Sequence, residues 1–264
     1  MKINNYVKVS SVEEAYSILE GNSKAAIIAG GAWLRLTPTE VDEAVDLSGL
    51  GLDSIDVVDG FVEIGSMTTL RQVEKSDIVK ALCNGIVCTA VEKIMGVTVR
   101  NIATIGGTIS GKYGFSDLIT PLMVLDTELE FYKRGRVSLV EFMDETAKSG
   151  DILLKVRIPM KEGRGWYETI KITAIDFPIL NAAVTRIDGK TKIAVGSRPY
   201  KAVLAEMAMA YVDTCGKHDA DCAERAAATA AAEIKFGSNS RGSAAYRKKL
   251  CEALVKRGLR EVMS

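Results

Sequence analysis

Residues 99–108 decide the fold: Val99-Arg100-Asn101-Ile102-Ala103-Thr104-Ile105-Gly106-Gly107-Thr108, where two adjacent glycines follow an apolar stretch. A second pair stands earlier, in Ile28-Ala29-Gly30-Gly31-Ala32-Trp33. Adjacent glycines let the backbone adopt positive φ and expose successive N–H groups, which bind phosphate oxygens. Two such turns could clamp a diphosphate from both sides. Because neither pair matches GxGxxG or the P-loop, two ordinary tight turns remain the alternative.

The apolar pattern around these pairs indicates mixed α and β structure. Ser11 predicts a helix N-cap, with Glu14 reaching back to form a capping box, and Ser116-Asp117 predicts a second cap. Helices are predicted over residues 11–21, 69–73, 77–95, 118–125, 202–212, 219–234 and 244–262. Strands are predicted over residues 25–29, 44–47, 61–65, 128–132, 151–158, 166–173, 180–187 and 192–195, with a tight hairpin at Asp188-Gly189.

The chain length and one charged segment suggest how the chain is divided. A chain of 264 residues forms one large domain or two modest ones. The best linker is the charged, glycine-containing segment at 161–165. Before it helices and strands alternate, whereas a hairpin sheet and then helices follow it.

The composition excludes several classes of protein. Lys plus Arg and Asp plus Glu both number 34, so the net charge is zero, which argues against a nucleic-acid binder or a polybasic membrane anchor. No apolar run approaches the roughly 18 residues of a membrane span. The first residues carry no hydrophobic signal region, so we expect a cytoplasmic protein without a membrane span.

Histidine and cysteine usage predicts no metal-ligating and no catalytic residue. The only histidine, His218, lies in a polar stretch and is expected at the surface. The five cysteines form no CxxC pair, which argues against a zinc or iron–sulfur site held by this chain. Their odd number predicts reduced thiols, and the apolar surroundings of Cys83 and Cys88 predict core positions.

Two charged residues and three aromatic ones are candidates for ligand contact. Asp117 could accept hydrogen bonds from sugar hydroxyls, or serve as a helix cap. Lys171 alternates within a predicted strand and is either a solvent-facing residue or a cation aimed at a cofactor. Trp33, Tyr113 and Phe115 lie beside the glycine-rich segments, where they could stack on a flavin or nicotinamide ring or pack in the core.

Residues 99–107 resemble the RN-x-AT-x-GG signature of the FAD-binding medium subunits of molybdenum hydroxylases, the xanthine dehydrogenase and carbon monoxide dehydrogenase flavoprotein family. The resemblance extends over nearly the whole chain. Its other parts are Ala29-Gly30-Gly31, Ile64-Gly65-Ser66-Met67-Thr68-Thr69-Leu70, Ser116-Asp117-Leu118, Asp151-Ile152-Leu153-Leu154 before Ile158-Pro159, Lys171, and Ala174-Ile175-Asp176-Phe177.

The resemblance implies an α+β fold. It would comprise a two-part FAD-binding domain of the vanillyl-alcohol-oxidase and MurB-like superfamily at 1–160, divided near residue 55, and a C-terminal domain of a three-stranded sheet and helices at 165–264. Both glycine pairs would hold the FAD diphosphate. The implied cofactor contacts are Ile28, Ala29, Gly30, Gly31, Ala32, Trp33, Ile94, Thr104, Ile105, Gly106, Gly107, Thr108, Asp117, Leu153 and Lys171.

The implied function is electron transfer. A molybdopterin large subunit and an iron–sulfur small subunit would deliver electrons to FAD on this chain, which would pass them to NAD or another acceptor. The chain departs from the family pattern at Ala32-Trp33, at Thr108 and over residues 111–115. A stand-alone flavin oxidoreductase and a flavin-less scaffold paralogue are therefore the alternatives.

Overall fold

The computed structural model describes residues 1–146, 150–217 and 219–264. Its strands are β1 (Lys2–Lys8), β2 (Ala25–Ile28), β3 (Glu40–Asp46), β4 (Ile55–Val58), β5 (Phe61–Gly65), β6 (Glu128–Phe131), β7 (Gly135–Ser138), β8 (Leu153–Pro159), β9 (Gly163–Ile170), β10 (Leu180–Ile187), β11 (Lys190–Gly196) and β12 (Val203–Leu204). Its α-helices are α1 (Val12–Gly21), α2 (Leu70–Lys75), α3 (Asp77–Lys80), α4 (Ile86–Glu92), α5 (Val97–Arg100), α6 (Ile105–Ser110), α7 (Ile119–Met123), α8 (Leu139–Asp144), α9 (Glu206–Thr214), α10 (Ala220–Glu233) and α11 (Ala244–Met263). Short 3₁₀ turns occupy Leu34–Leu36 and Cys83–Gly85.

The N-terminal part is a three-stranded parallel sheet in the order β1-β3-β2. β1 is absent from the sequence prediction because its exposed residues show little apolar alternation. α1 begins as predicted, since the Ser11 side chain accepts the Glu14 N–H. The reciprocal half of the capping box is wrong, however, because the Glu14 carboxylate accepts from the backbone N–H and hydroxyl of Ser10, not from Ser11.

The central part is a five-stranded sheet in the order β4-β5-β8-β6-β7, with antiparallel neighbours. Helices α2, α3, α4, α6, α7 and α8 and this sheet share one apolar core. A buried ion-pair network crosses the sheet: Arg157 donates to Glu63 at 2.9 Å and to Glu128 at 2.8 Å, and Lys155 also pairs with Glu63. These cross-strand pairs fix the register of β5, β8 and β6.

The single helix predicted over 77–95 is wrong. The chain breaks between α3 and α4, where Cys83, Asn84 and Gly85 have φ of 43°, 60° and 71°. A long-range contact requires the break: a Cβ at Gly165 would lie 2.5 Å from the Cys83 carbonyl oxygen. The start of the C-terminal sheet therefore presses against this turn, which periodicity along the chain cannot show.

The C-terminal part is a four-stranded antiparallel sheet in the order β12-β11-β10-β9, packed against α9, α10 and α11. It has one strand more than expected, because β12 occupies part of the helix predicted over 202–212. The predicted hairpin is confirmed, with Asp188 and Gly189 at φ of 50° and 77° between β10 and β11. β9 already begins at Gly163, so only Lys161 and Glu162 of the predicted linker lie between strands.

The cysteines differ in part from expectation. Cys83, Cys88 and Cys251 are free and buried, which confirms the first two as core residues. Cys215 and Cys222 form a disulfide, so the prediction that all thiols are reduced is wrong. The Asp219 N-cap starts α10 and brings its first turn, which contains Cys222, back towards the end of α9. His218 lies outside the described residues.

Among the described residues, no helix is long and apolar enough to cross a membrane, and no group of three or more His, Cys, Asp or Glu residues could hold a metal ion.

Candidate functional site

The first glycine pair lies directly after β2 and packs on the second glycine-rich segment. A Cβ at Gly30 would lie 1.4 Å from the Ile102 carbonyl oxygen, so no side chain fits there. Gly31 has φ +60°, and nothing stands within 4 Å of where its Cβ would be. Gly30 is therefore required by close approach to Ile102, and Gly31 by its left-handed backbone.

The backbone donors of this loop are available. Within the part of the chain that the structure describes, the N–H groups of Gly30, Gly31 and Ala32 have no hydrogen-bond acceptor. Unpaired N–H groups beside an open glycine attract an anion such as phosphate. The anion-binding role of the first pair stays a prediction, for which the loop keeps three N–H donors without an acceptor.

The second glycine pair has a different structure from the predicted one. Gly106 and Gly107 lie in the first turn of α6, not in a turn after a strand. Every N–H from 105 to 108 is used within the protein: Ile105 donates to Thr68, Gly106 to Ser66, and Gly107 and Thr108 to Thr104. The prediction that the second glycine pair forms a nest of free N–H groups is therefore wrong. The pair instead allows close packing, since a Cβ at Gly106 would lie 2.6 Å from the Ser66 carbonyl oxygen.

Two hydroxyls beside this turn keep unused hydrogen-bonding capacity. The Thr104 hydroxyl accepts from Gly107 N–H at 3.1 Å and keeps its own proton to donate. The buried Ser66 hydroxyl has no partner among the residues described. Ser66 was quoted in the sequence comparison but not selected, because a serine after a strand gives no local signal. A buried orphan hydroxyl, together with the donors of the first loop, fits a polar, phosphorylated cofactor.

A buried charge pair lies where β9 meets the end of the segment before α7. Lys171 donates to Asp117 at 2.9 Å and to the Lys93 carbonyl. Both side chains are less than 10% exposed, so Lys171 is not the solvent-facing strand residue of one interpretation. Asp117 does not cap α7 either, because the Ser116 hydroxyl accepts the Ile119 N–H. Asp117 is thereby left to bind Lys171.

Tyr167 completes this pair and was missed in the sequence. Its hydroxyl donates to Asp117 at 2.5 Å. Burial, followed by the nearby Asp117 charge, raises the pKa of Tyr167 well above 10. The phenol therefore stays protonated and donates at every physiological pH.

Arg100 of the signature positions the backbone near Lys171. Its guanidinium donates to Glu74 at 2.8 Å and to the carbonyls of Ile94 and Met95 at 2.9 and 3.1 Å. Burial opposes the charge on Glu74, but hydrogen bonds from Arg100 and Arg71 outweigh it, so the pKa of Glu74 lies below its ordinary value. The ion pair thus holds the segment that carries Ile94 and the Lys93 carbonyl.

The other candidate residues lie around the same centre. Leu153 is buried at the start of β8, next to Leu154, whose carbonyl accepts the Ser66 N–H. Trp33 packs with Tyr113, Phe115 and Phe177 at ring-centroid distances of 5.8, 4.9 and 5.5 Å. Tyr113 and Phe115 stack and the other ring pairs are tilted or T-shaped, so the cluster joins the first loop to the segment between β9 and β10. Phe177 was not selected in the sequence because it lies over 60 residues from its partners.

The turn that carries Phe177 is itself held by α11 and the loop before it. Arg241 pairs with Asp176 at 3.1 Å and lies over the Phe177 ring. Arg247, fully buried in α11, donates to the carbonyls of Ile179 and Gly237. The C-terminal helix therefore holds the turn whose Phe177 contacts Trp33 of the first loop.

Comparison with known proteins agrees with this architecture. The family model described as FAD binding domain in molybdopterin dehydrogenase matches residues 1–161, and the model described as CO dehydrogenase flavoprotein C-terminal domain matches residues 166–262. The glyceraldehyde dehydrogenase medium chain of Sulfolobus acidocaldarius is 25% identical over 280 residues, covering 98% of each chain.

A shorter match and a solved structure agree with this result. The xanthine dehydrogenase FAD-binding subunit of Escherichia coli O157:H7 is 27% identical over 146 residues, covering 52% of this chain and 48% of that protein. A structure of carbon monoxide dehydrogenase from Hydrogenophaga pseudoflava matches with a TM-score of 0.90 at 24% identity, covering 99% of this chain and 97% of the other, which shows the fold.

The α+β fold and the two family models, which together match residues 1–161 and 166–262, define a flavoprotein subunit of an oxidoreductase. The chain belongs to the FAD-binding medium subunits of the molybdenum hydroxylases, the family of carbon monoxide dehydrogenase and xanthine dehydrogenase, and its cofactor is FAD.

Proposed function

We propose that this chain is the electron-transfer subunit of a heteromeric molybdenum hydroxylase, which passes electrons from the iron–sulfur clusters of a small subunit, through FAD, to NAD or another acceptor. A molybdopterin large subunit would carry substrate oxidation. The matching family models, an FAD binding domain of molybdopterin dehydrogenase and a CO dehydrogenase flavoprotein C-terminal domain, support this division of labour.

The observation that carries the proposal is the first loop. Its three N–H groups have no acceptor, and nothing stands within 4 Å of where a Gly31 Cβ would be, so the loop can bind the FAD diphosphate without a lysine. Thr104 and Ser66 add hydroxyls nearby. We propose that the cofactor is contacted by Ile28, Ala29, Gly30, Gly31, Ala32, Trp33, Ile94, Thr104, Ile105, Gly106, Gly107, Thr108, Asp117, Leu153 and Lys171, with the second glycine pair contributing close packing.

The charge pair would serve the other end of the cofactor. FAD supplies the redox chemistry, accepting and releasing electrons while the protein sets its position and potential. Lys171 has three N–H donors and uses two of them on Asp117 and Lys93. Its third donor and its charge can stabilise negative charge on a flavin. Asp117 holds the ammonium and repels phosphate, which directs the diphosphate to the first loop.

The domain division is also a proposal. We place the FAD-binding domain at 1–160, with its two parts meeting near residue 55, and the C-terminal domain at 165–264. The three separate sheets, formed by residues 2–46, 55–159 and 163–204, support this division.

The test compares two substitutions at Gly31 that differ only in charge. Asn and Asp both tolerate positive φ, and the site has room for either side chain. Gly31→Asp should weaken FAD binding by more than about tenfold relative to Gly31→Asn, because a carboxylate beside the diphosphate is repelled. Titration of the apoprotein with FAD, followed by flavin fluorescence, measures both dissociation constants. Equal constants would place the diphosphate elsewhere.

The protein purified with its partners tests the electron route. The proposal expects an iron–sulfur and a molybdenum subunit to co-purify, and the reduced complex to be reoxidised by NAD or another soluble acceptor. Turnover by the purified chain alone would identify a stand-alone flavin oxidoreductase. Failure to bind FAD, alone or in the complex, would identify a scaffold paralogue.

A further inference from the structure

The face of the C-terminal sheet that meets the rest of the protein carries a row of polar side chains. Along β10, Leu180, Ala182 and Val184 pack in the C-terminal core, whereas Ala183 packs in the central core. Asn181 and Thr185 share the face of Ala183 and are almost completely buried. This polar row is therefore a seam between the two halves of the molecule.

Tyr167 lies on the same face of β9, directly opposite Ala183. Its hydroxyl is the shortest contact to Asp117 Oδ1, at 2.5 Å, and Asn181 Nδ2 stands 3.4 Å from the same oxygen. Lys171 contacts the other oxygen, Oδ2, at 2.9 Å. The carboxylate is thus held from both sides, with the neutral phenol on one oxygen and the ammonium on the other.

We propose that Tyr167 is a positioning residue of the flavin site: its hydroxyl fixes the orientation of the Asp117 carboxylate and, through it, the direction in which the Lys171 ammonium offers its remaining N–H to the flavin. The inference rests on the proposed placement of Asp117 and Lys171 beside FAD. It adds a residue that neither the signature nor the resemblance selects.

The geometry explains why the phenol matters. A hydrogen bond from a neutral donor spreads the charge of the carboxylate without competing with the ammonium. Without the phenol, Asp117 Oδ1 keeps only the long contact with Asn181. The carboxylate then attracts the Lys171 ammonium more strongly. The ammonium would then stabilise negative charge on the flavin less well.

The decisive variant is Tyr167→Phe, which removes one oxygen and keeps the packing. We expect the dissociation constant of FAD from the apoprotein to rise by about tenfold or more, as for loss of a hydrogen bond to a charged group. We also expect the flavin reduction potential to shift to more negative values. Fluorescence titration measures the first quantity, and equilibration with a redox dye measures the second.

Thr185→Val is the matched control. Thr185 donates to the Val124 carbonyl at 2.8 Å across the same seam, but does not touch Asp117. This variant loses one buried hydrogen bond between the same two halves, so its stability should fall by an amount similar to that of Tyr167→Phe. Its FAD dissociation constant should stay within about twofold of the wild-type value, and its potential should not move.

Two further variants separate the inference from its basis. In an Asp117→Asn background, Tyr167→Phe should add less than about a twofold change, because the phenol acts through the carboxylate. If Asp117→Asn and Lys171→Met leave FAD affinity and potential unchanged, the placement of the flavin here is wrong and the inference fails with it. If those two act and Tyr167→Phe behaves like Thr185→Val, the positioning role alone is wrong.

Discussion

Replacing Arg100 by methionine would test whether the signature arginine holds the site through its buried ion pair. The substitution removes two hydrogen bonds to Glu74, at 2.8 and 3.3 Å, and those to the carbonyls of Ile94 and Met95. Glu74 remains buried and keeps only Arg71, at 2.6 Å. Methionine retains most of the apolar stem, so the change is mainly electrostatic.

The expected loss follows from burial of the pair. Both side chains are less than 10% exposed, and breaking such a pair by removing one partner costs about 3–5 kcal/mol. Because Arg71 still neutralises part of the Glu74 charge, we expect a loss near the lower end, about 3 kcal/mol. The substitution also frees the segment 93–95, whose Lys93 carbonyl accepts a hydrogen bond from Lys171. FAD binding should therefore weaken as well.

Urea unfolding followed by circular dichroism measures this loss, and Arg136→Met is the control. Arg136 pairs with Glu130 on an exposed face, so its loss should cost less than about 1 kcal/mol. The double variant Arg100→Met with Glu74→Gln should recover part of the loss, because no charge is left buried without its partner. An equal effect of Arg100→Met and Arg136→Met, or a double variant no more stable than Arg100→Met alone, would refute the reasoning.

Three other outcomes are expected. Gly30→Ala should prevent FAD binding, whereas Gly31→Ala should cost only about 1 kcal/mol of stability, because only Gly30 touches Ile102. FAD titration measures the first effect and calorimetry the second. A hydrogen bond from Lys155, only partly opposed by burial, keeps the pKa of Glu63 below its ordinary 4.5. The ionised Glu63 therefore stabilises the fold fully above about pH 5, and this stabilisation disappears as pH falls through the lower folded pKa. Glu63→Gln should make the free energy of unfolding depend less on pH in this acid range. A thiol reagent should find no fast-reacting cysteine in the native protein, and three reactive cysteines in urea without reductant. Burial raises the pKa of the Cys88 thiol to about 11 and that of Cys251 to about 12, and it lowers the reactivity of all three free thiols.

Local signals predicted much of the fold. The strand at 61–65, the strand at 180–187 and the turn at Asp188-Gly189 were predicted as observed, because period, β-branched residues and turn chemistry act within a few residues. The break inside 77–95 could not be predicted from local pattern, because at this turn Cys83 packs closely against Gly165, which lies far along the chain. The helix predicted over 202–212 begins late for a similar reason, because Val203 and Leu204 pair with Val195 and Ala194 of β11 and form β12 first.

For the candidate site, too, the sequence predicted what residue type and local pattern show and missed what depends on long-range packing. The sequence selected Gly31, Asp117 and Lys171 by residue type and resemblance. It could not select Tyr167 or Ser66, because a buried phenol and an orphan hydroxyl are defined only by what surrounds them in three dimensions. The role of the second glycine pair also changed, from exposing donors to admitting the Ser66 backbone, which is a property of packing and not of the glycines themselves.

The contact of Gly30 with Ile102 has a consequence for how the protein matures. The two segments are about 70 residues apart, so the anion-binding loop takes its shape only after the intervening chain has closed, at an entropic cost of about 4 kcal/mol. If FAD binds this loop as proposed, a newly made chain cannot capture it while the N-terminal sheet stands alone. FAD would then bind only the closed form and hold it closed by mass action, which would couple the cellular supply of the flavin to the lifetime of the subunit.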